Sequence, residues 1–247
     1  MATNENIAQV IEQLSNSNID GCITGSAYMA EYSGVDVTNW TETPDVDVFC
    51  YSEQALVHAL CFAMWQMGCS PGTGIPGSKR QEEWKIDRAF VGKFQKNSIV
   101  TTVKMQHPNG VTVNLTYKRG RENLLAVLSS FDMSIIMIGV DIRSKSVADL
   151  RGDHHNVATP NRFRSFDTSI WNVETWVRQF DRVIKYYNRG FDTRPMAEFY
   201  LQLIDASLAE GAVFTSEKYI DMYEEYTKGF MEQRKRIAAW LEEHKED

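Results

Sequence analysis

Asp45-Val46-Asp47-Val48-Phe49-Cys50-Tyr51 follows a polar stretch ending in Pro44 and reads as a β-strand, rich in valine and aromatic residues. Residues i and i+2 of a strand point to one face, so Asp45 and Asp47 project together while Val46 and Val48 enter the core. Two carboxylates held a few ångströms apart repel each other unless a cation lies between them. Magnesium takes oxygen ligands of this kind, together with substrate phosphates. D-x-D by itself equally suits an exposed edge strand with two solvated acids, so its surroundings decide the matter.

Upstream, the apolar run Cys22-Ile23-Thr24 reads as a strand leading straight into Gly25-Ser26, which opens a helix from Ala27 to Tyr32. Backbone N–H groups and the helix dipole at such a junction favour phosphate, although the serine also suits a plain helix cap. Before it, Ile7 to Leu14 has helical spacing. After the acids, Ser52 is a good N-cap for an apolar helix running to about Met67. Ser70 to Gly77 predicts a loop. Ser98 to Met105 and Val111 to Tyr117 flank His107-Pro108-Asn109-Gly110, a strong hairpin signal. A helix at Glu122 to Leu128, a strand at Phe131 to Val140, and helices at Val173–Asn188, Met196–Leu208 and Ser216–Glu243 complete the series. A mixed sheet first and helices last make an α+β fold. The expected division is a core over residues 1–155 and a helical C-terminal region over 156–247.

The 247 residues can bury a substantial core, with an ordinary balance of 43% hydrophobic and 24% charged residues. No apolar run approaches the roughly 20 residues of a membrane span. The opening MATNENIAQVIEQ lacks the features of a signal peptide, and a cytoplasmic protein is expected. Cys22, Cys50, Cys61 and Cys69 fit no zinc spacing and read as reduced thiols. A net charge of −7 argues against extended nonspecific nucleic-acid binding, which needs a basic surface.

The succession strand, Gly25-Ser26, helix, then Asp45-Val46-Asp47 resembles the hallmark of polymerase-β-like nucleotidyltransferases. Val111–Tyr117, Phe131–Ser134 and Arg182–Phe191 look like a branch of that superfamily found in bacteriophages and large DNA viruses, and the likeness covers roughly residues 20–192. The resemblance implies that Gly25 and Ser26 hold a nucleoside triphosphate and that Asp45 and Asp47 bind Mg2+ or Mn2+, with two metals clamping the transferring phosphate. It implies transfer of a nucleoside monophosphate to an acceptor hydroxyl on RNA, protein, a nucleotide or a small molecule, with release of pyrophosphate. Members usually carry a third carboxylate on the following strand, where this chain has Asn114. An asparagine ligates through its carbonyl oxygen but brings no charge and cannot act as a base. Three outcomes stand open: two acids suffice, Asp132 substitutes, or activity is lost. The last describes a degenerate protein that binds a nucleotide or a partner; a further alternative is an interaction protein using the acidic C-terminal helix.

Arg178, Arg182, Lys185 and Arg189 recur at spacings that put them on one helical stripe, either a solvated face or a cationic one. The resemblance suggests that Arg182 or Lys185 meets the triphosphate. Lys79-Arg80 and Lys118-Arg119-Arg121 are candidates for acceptor contacts. Gly72 to Lys79 has G-S-K where a phosphate loop needs G-K-S or G-K-T. His154-His155 reads as a solvated loop pair, and Met64, Trp65 and Met67 as core.

Overall fold

The computed structural model describes residues 3–71, 100–153, 155–166, 173–209 and 220–245. The fold is α+β, a mixed sheet flanked by helices and followed by a helical C-terminal region. The chain forms two compact units: Met1–Phe131 with Ile136–Gly152, and Asp132–Ile135 with Asp153–Asp247.

The first unit is built on strands β1 (Gly21–Thr24), β2 (Val46–Cys50), β3 (Ser70–Pro71), β4 (Val100–Gln106), β5 (Thr112–Lys118), β6 (Ile138–Asp141) and β7 (Val147–Asp149). Their order is β3-β4-β5-β2-β1-β6-β7. β2 and β5 run parallel, and every other neighbouring pair is antiparallel. Register pairs Ile23 with Val48, Val48 with Leu115, and Leu115 with Val103, so these side chains share one face. All four are 0–1% exposed, and each contributes about 1.5–3 kcal/mol by burial. Helices α1 (Asn4–Ser15), α2 (Gly25–Ser33) and α3 (Glu53–Trp65) pack on the central strands. On the other face, α4 (Leu124–Leu128) covers Cys22, Phe49 and Tyr51 with Leu124, Val127 and Leu128.

The local signals behave as their chemistry dictates. Ser52 Oγ accepts from the Ala55 N–H at 3.0 Å and caps α3. The hairpin turns through His107–Gly110, with the His107 N–H donating to Val111 O at 2.9 Å and Gly110 at φ +91°. Three expectations are corrected. Ser70-Pro71, expected within a loop, pairs with Gln106 and Met105 as an edge strand, where proline is tolerated; residues 72–77, Gly72–Lys79 and Lys79-Arg80 lie outside the described residues. Phe131 to Val140 is not one strand: Met133 bridges to Pro160, Ser134–Ile136 forms a 3-10 turn, and β6 begins only at Ile138. The reason is tertiary, since residues 132–135 belong to the second unit. Trp65, expected in the core, is 73% exposed, whereas Met67 is buried. β7 had no counterpart in the sequence reading.

The second unit contains α5 (Val173–Tyr187), α6 (Arg194–Ala209) and α7 (Ile220–Glu243), which contact one another. Trp176 packs edge-on against Tyr200 and Phe230, and Phe180 against Trp240. α7 begins within the expected Ser216–Glu243 helix; Ser216 and His154 lie outside the described residues, and His155 is exposed. No helix among the described residues is long and apolar enough to cross a membrane.

Candidate functional site

β1 and β2 are antiparallel neighbours, so the end of β1 meets the start of β2, with Thr24 opposite Asp47. α2 begins at once with Gly25. Thr24 occupies its cap position but makes no side-chain cap bond, because its hydroxyl donates instead to Ile138 O on β6 at 2.5 Å. The first turn of α2, with Ser26 half-buried in it, therefore carries N–H groups that the Thr24 side chain does not satisfy. Ser26 is the second residue of the helix and not its cap.

Gly25 has φ +84°, a conformation that glycine adopts without strain. A Cβ added there would lie 2.3 Å from Asp47 Oδ2. The glycine thus lets the Asp47 carboxylate lie directly against the start of α2. Asp45, just before β2, and Asp47, within it, are both half-buried, while Val46 and Val48 are 0% exposed.

The parallel pairing of β2 and β5 sets Asn114 opposite Asp47. Asn114 Nδ2 donates to Asp45 Oδ2 at 3.0 Å and to Asp47 Oδ1 at 2.9 Å, one amide joining both carboxylates. The amide oxygen, Asn114 Oδ1, is buried without a hydrogen-bond partner. An orphaned buried acceptor costs about 1–3 kcal/mol, which an unused position has little reason to carry. Lys104 lies opposite Asn114 on β4, and its ammonium forms an ion pair with Asp45 Oδ2 at 3.4 Å. The sequence reading missed Lys104. Its signal was the hairpin turn, since pairing His107 with Val111 counts back to Lys104 opposite residue 114.

No group of three or more His, Cys, Asp or Glu side chains among the described residues is arranged to hold a metal. Two carboxylates form a pair of hard-oxygen donors, and the Asn114 amide, which here presents its Nδ2 to them, would add its carbonyl oxygen on turning over about its last side-chain bond. Magnesium and manganese accept such a set when phosphate or water fills the remaining positions, so the residues present fit the ion.

Asp132, Arg182 and Lys185 belong to the second unit. Asp132 is 2% exposed and lies on no strand. Its Oδ2 accepts from Arg182 Nη1 at 2.8 Å and from the Tyr200 hydroxyl at 3.4 Å. Burial, then the Asp132 charge, pushes the Tyr200 phenol well above its usual range. The cationic stripe is not one solvated face: Arg178 and Lys185 are exposed, Arg182 pairs with Asp132, and Arg189 is buried past the end of α5. In the first unit, Lys118 closes β5, with Arg119 exposed and Arg121 half-buried beyond it.

No protein-family profile matches the chain, and no curated protein sequence does. Solved structures do match. One, described as a "tRNA-processing enzyme (apo form I)", superposes with a TM-score of 0.51 at 12% sequence identity, over 95% of this chain. The chain spans 57% of that structure's length. At such identity the likeness speaks to the fold alone.

Proposed function

We propose that this chain is a metal-dependent nucleotidyltransferase, moving a nucleoside monophosphate from a triphosphate to an acceptor hydroxyl and releasing pyrophosphate. One observation carries the reading: Asp45, Asp47 and the side-chain amide of Asn114 converge beside a helix start whose cap residue, Thr24, makes no side-chain cap bond. An anion-binding helix end and a cation-binding acid pair in contact suit a metal-complexed phosphate.

Asp45, Asp47 and the Asn114 oxygen would hold Mg2+ or Mn2+. When bound, the ion neutralises charge on the transferring phosphate and the leaving group. The N–H groups and hydroxyl at Gly25-Ser26 hold the outer phosphates and orient the triphosphate. The bond from the α-phosphorus to the acceptor oxygen forms as its bond to the pyrophosphate oxygen breaks. The acceptor's proton leaves without help from residue 114, because an amide has no basic lone pair.

The chemistry of the acceptor leaves RNA, protein and small molecules open. A neighbour that processes tRNA makes an RNA 3′ end the acceptor to try first. Lys118, Arg119 and Arg121 are proposed contacts for it. The experiment is incubation with α-labelled triphosphates, Mg2+ or Mn2+, and bulk RNA and protein. Label moves to RNA, to protein or, with a small-molecule extract added, to a small hydroxyl compound in a metal-dependent way if the reading is right; no transfer to any of these acceptor classes removes it.

A second reading has an observation of its own. The Asn114 amide donates to both carboxylates and the Lys104 ammonium pairs with Asp45, contacts made without a metal ion, as in a degenerate site that binds a nucleotide or partner. Calorimetry separates the two. Triphosphate affinity that does not change with metal favours the degenerate protein.

A further inference from the structure

We infer that the Asp45–Asp47 site takes a single divalent cation, with the Lys104 ammonium standing where a second cation would otherwise be needed. The inference rests on the reading of the acid pair as a metal site, and concerns how many ions the pair holds.

Charge and register set the number of ions the acid pair can hold. Among the described residues, Asp45 and Asp47 bring two negative charges, Asn114 brings none, and Lys104 brings one positive charge onto Asp45 Oδ2. Paired divalent ions in two-metal sites lie about 3.5–4 Å apart. At that distance they repel with four times the energy of two unit charges, and bridging carboxylates are what make the pair tolerable. Residue 114 faces both acids across the sheet, and there a third carboxylate could bridge two ions. Asparagine presents a neutral amide at that place, with one oxygen to offer a cation if it turns over. Lys104 is the register partner of residue 114 on β4, so its ammonium occupies the same flank of the pair.

Both departures act in the same direction. The loss of a negative charge at 114 and the presence of a positive one at 104 each disfavour a second cation. Lys104 is 57% exposed, so its ammonium is poorly suited to a purely structural role and well placed to meet a phosphate beside the acids. It is a positioning residue for the metal and its anion.

The test counts ions. The full chain is titrated with Mn2+, alone and with α,β-methylene-ATP, and followed by electron paramagnetic resonance. The expected wild-type result is one bound ion with an uncoupled spectrum in both cases. Lys104→Met, at an exposed position, is expected to stay folded by its melting curve and bind that ion about tenfold more tightly at low salt. The double variant Lys104→Met/Asn114→Asp is expected to take two ions with a spin-coupled spectrum in the nucleotide complex. A coupled pair in the wild type overturns the inference and leaves the proposed function standing. So does a Lys104→Met affinity equal to the wild type's, or a folded double variant that still holds one ion. No Mn2+ bound in any form removes the metal site itself, and the proposed function with it.

Discussion

Asn114 is held by two carboxylates at 2.9 and 3.0 Å, and its chemistry sets the sharpest expectation at the scale of single residues. Asn114→Asp replaces a donor with an acceptor of almost the same shape, so packing changes little and the effect is electrostatic. Three carboxylates then converge with the exposed Lys104 ammonium as the positive charge described beside them. The metal-free variant should melt several degrees below the wild type, and magnesium should recover the loss by mass action on the folded state. Melting curves with and without magnesium test this; an identical metal response in the two proteins would place residue 114 outside the site. Asp45→Asn and Asp47→Asn each remove a ligating charge without a change of volume. Each should reduce transfer by at least about a hundredfold, roughly 3 kcal/mol of transition-state stabilisation, and leave the circular dichroism spectrum unchanged. Wild-type transfer rates in both variants would show that these acids hold no metal.

At the scale of elements, the start of α2 brings helix and acids together. Gly25 and Gly34 bracket this helix, and both have positive φ, +84° and +65°. An alanine at either carries a backbone penalty of about 1–2 kcal/mol. They differ in what the new methyl meets: nothing within 4 Å at Gly34, but Asp47 Oδ2 at 2.3 Å at Gly25. Gly25→Ala should therefore lower both the melting temperature and triphosphate affinity, the latter by about tenfold or more. Gly34→Ala should lower only the melting temperature. Calorimetry on the two variants decides between them, and equal affinities would mean that α2 does not hold the nucleotide.

At the scale of the whole molecule, each unit carries an acid whose folded state favours the charged form. In the first, burial raises the pKa of Asp141, but hydrogen bonds from Ser144, Tyr51 and Arg143 outweigh it and leave the pKa lowered. In the second, hydrogen bonds from Arg194 hold Asp192 below the usual carboxylate range, against some burial. A depressed folded pKa stabilises above the unfolded value of about 3.9 and loses that contribution as pH falls through the folded value. The melting temperature should thus decline as pH is taken below about 4, and Asp141→Asn should flatten part of that decline. An unchanged acid slope in the variant would remove Asp141 from the account.

The sequence by itself determined whatever depends on local chemistry and period. Alternation in Val46–Cys50, the Asn109-Gly110 turn, the Ser52 cap and the Gly25-Ser26 junction all act over a few residues, and those elements formed where the pattern put them. Pairing of i with i+2 was also enough to put Asp45 and Asp47 on one side. Only the tertiary structure decided what faces them. The parallel register of β2 with β5 is set between strands far apart in sequence, and it aligned Asn114 with Asp47 and, through β4, brought Lys104 to Asp45. The same kind of force divided Phe131–Val140. Its apolar run satisfies a strand pattern throughout, yet Asp132 finds its charge partner, Arg182, in the second unit, and burial of Asp132 against that partner accompanies the departure of residues 132–135 from the sheet. Periodicity reports which side of an element is apolar, and long-range pairing determines which charges meet.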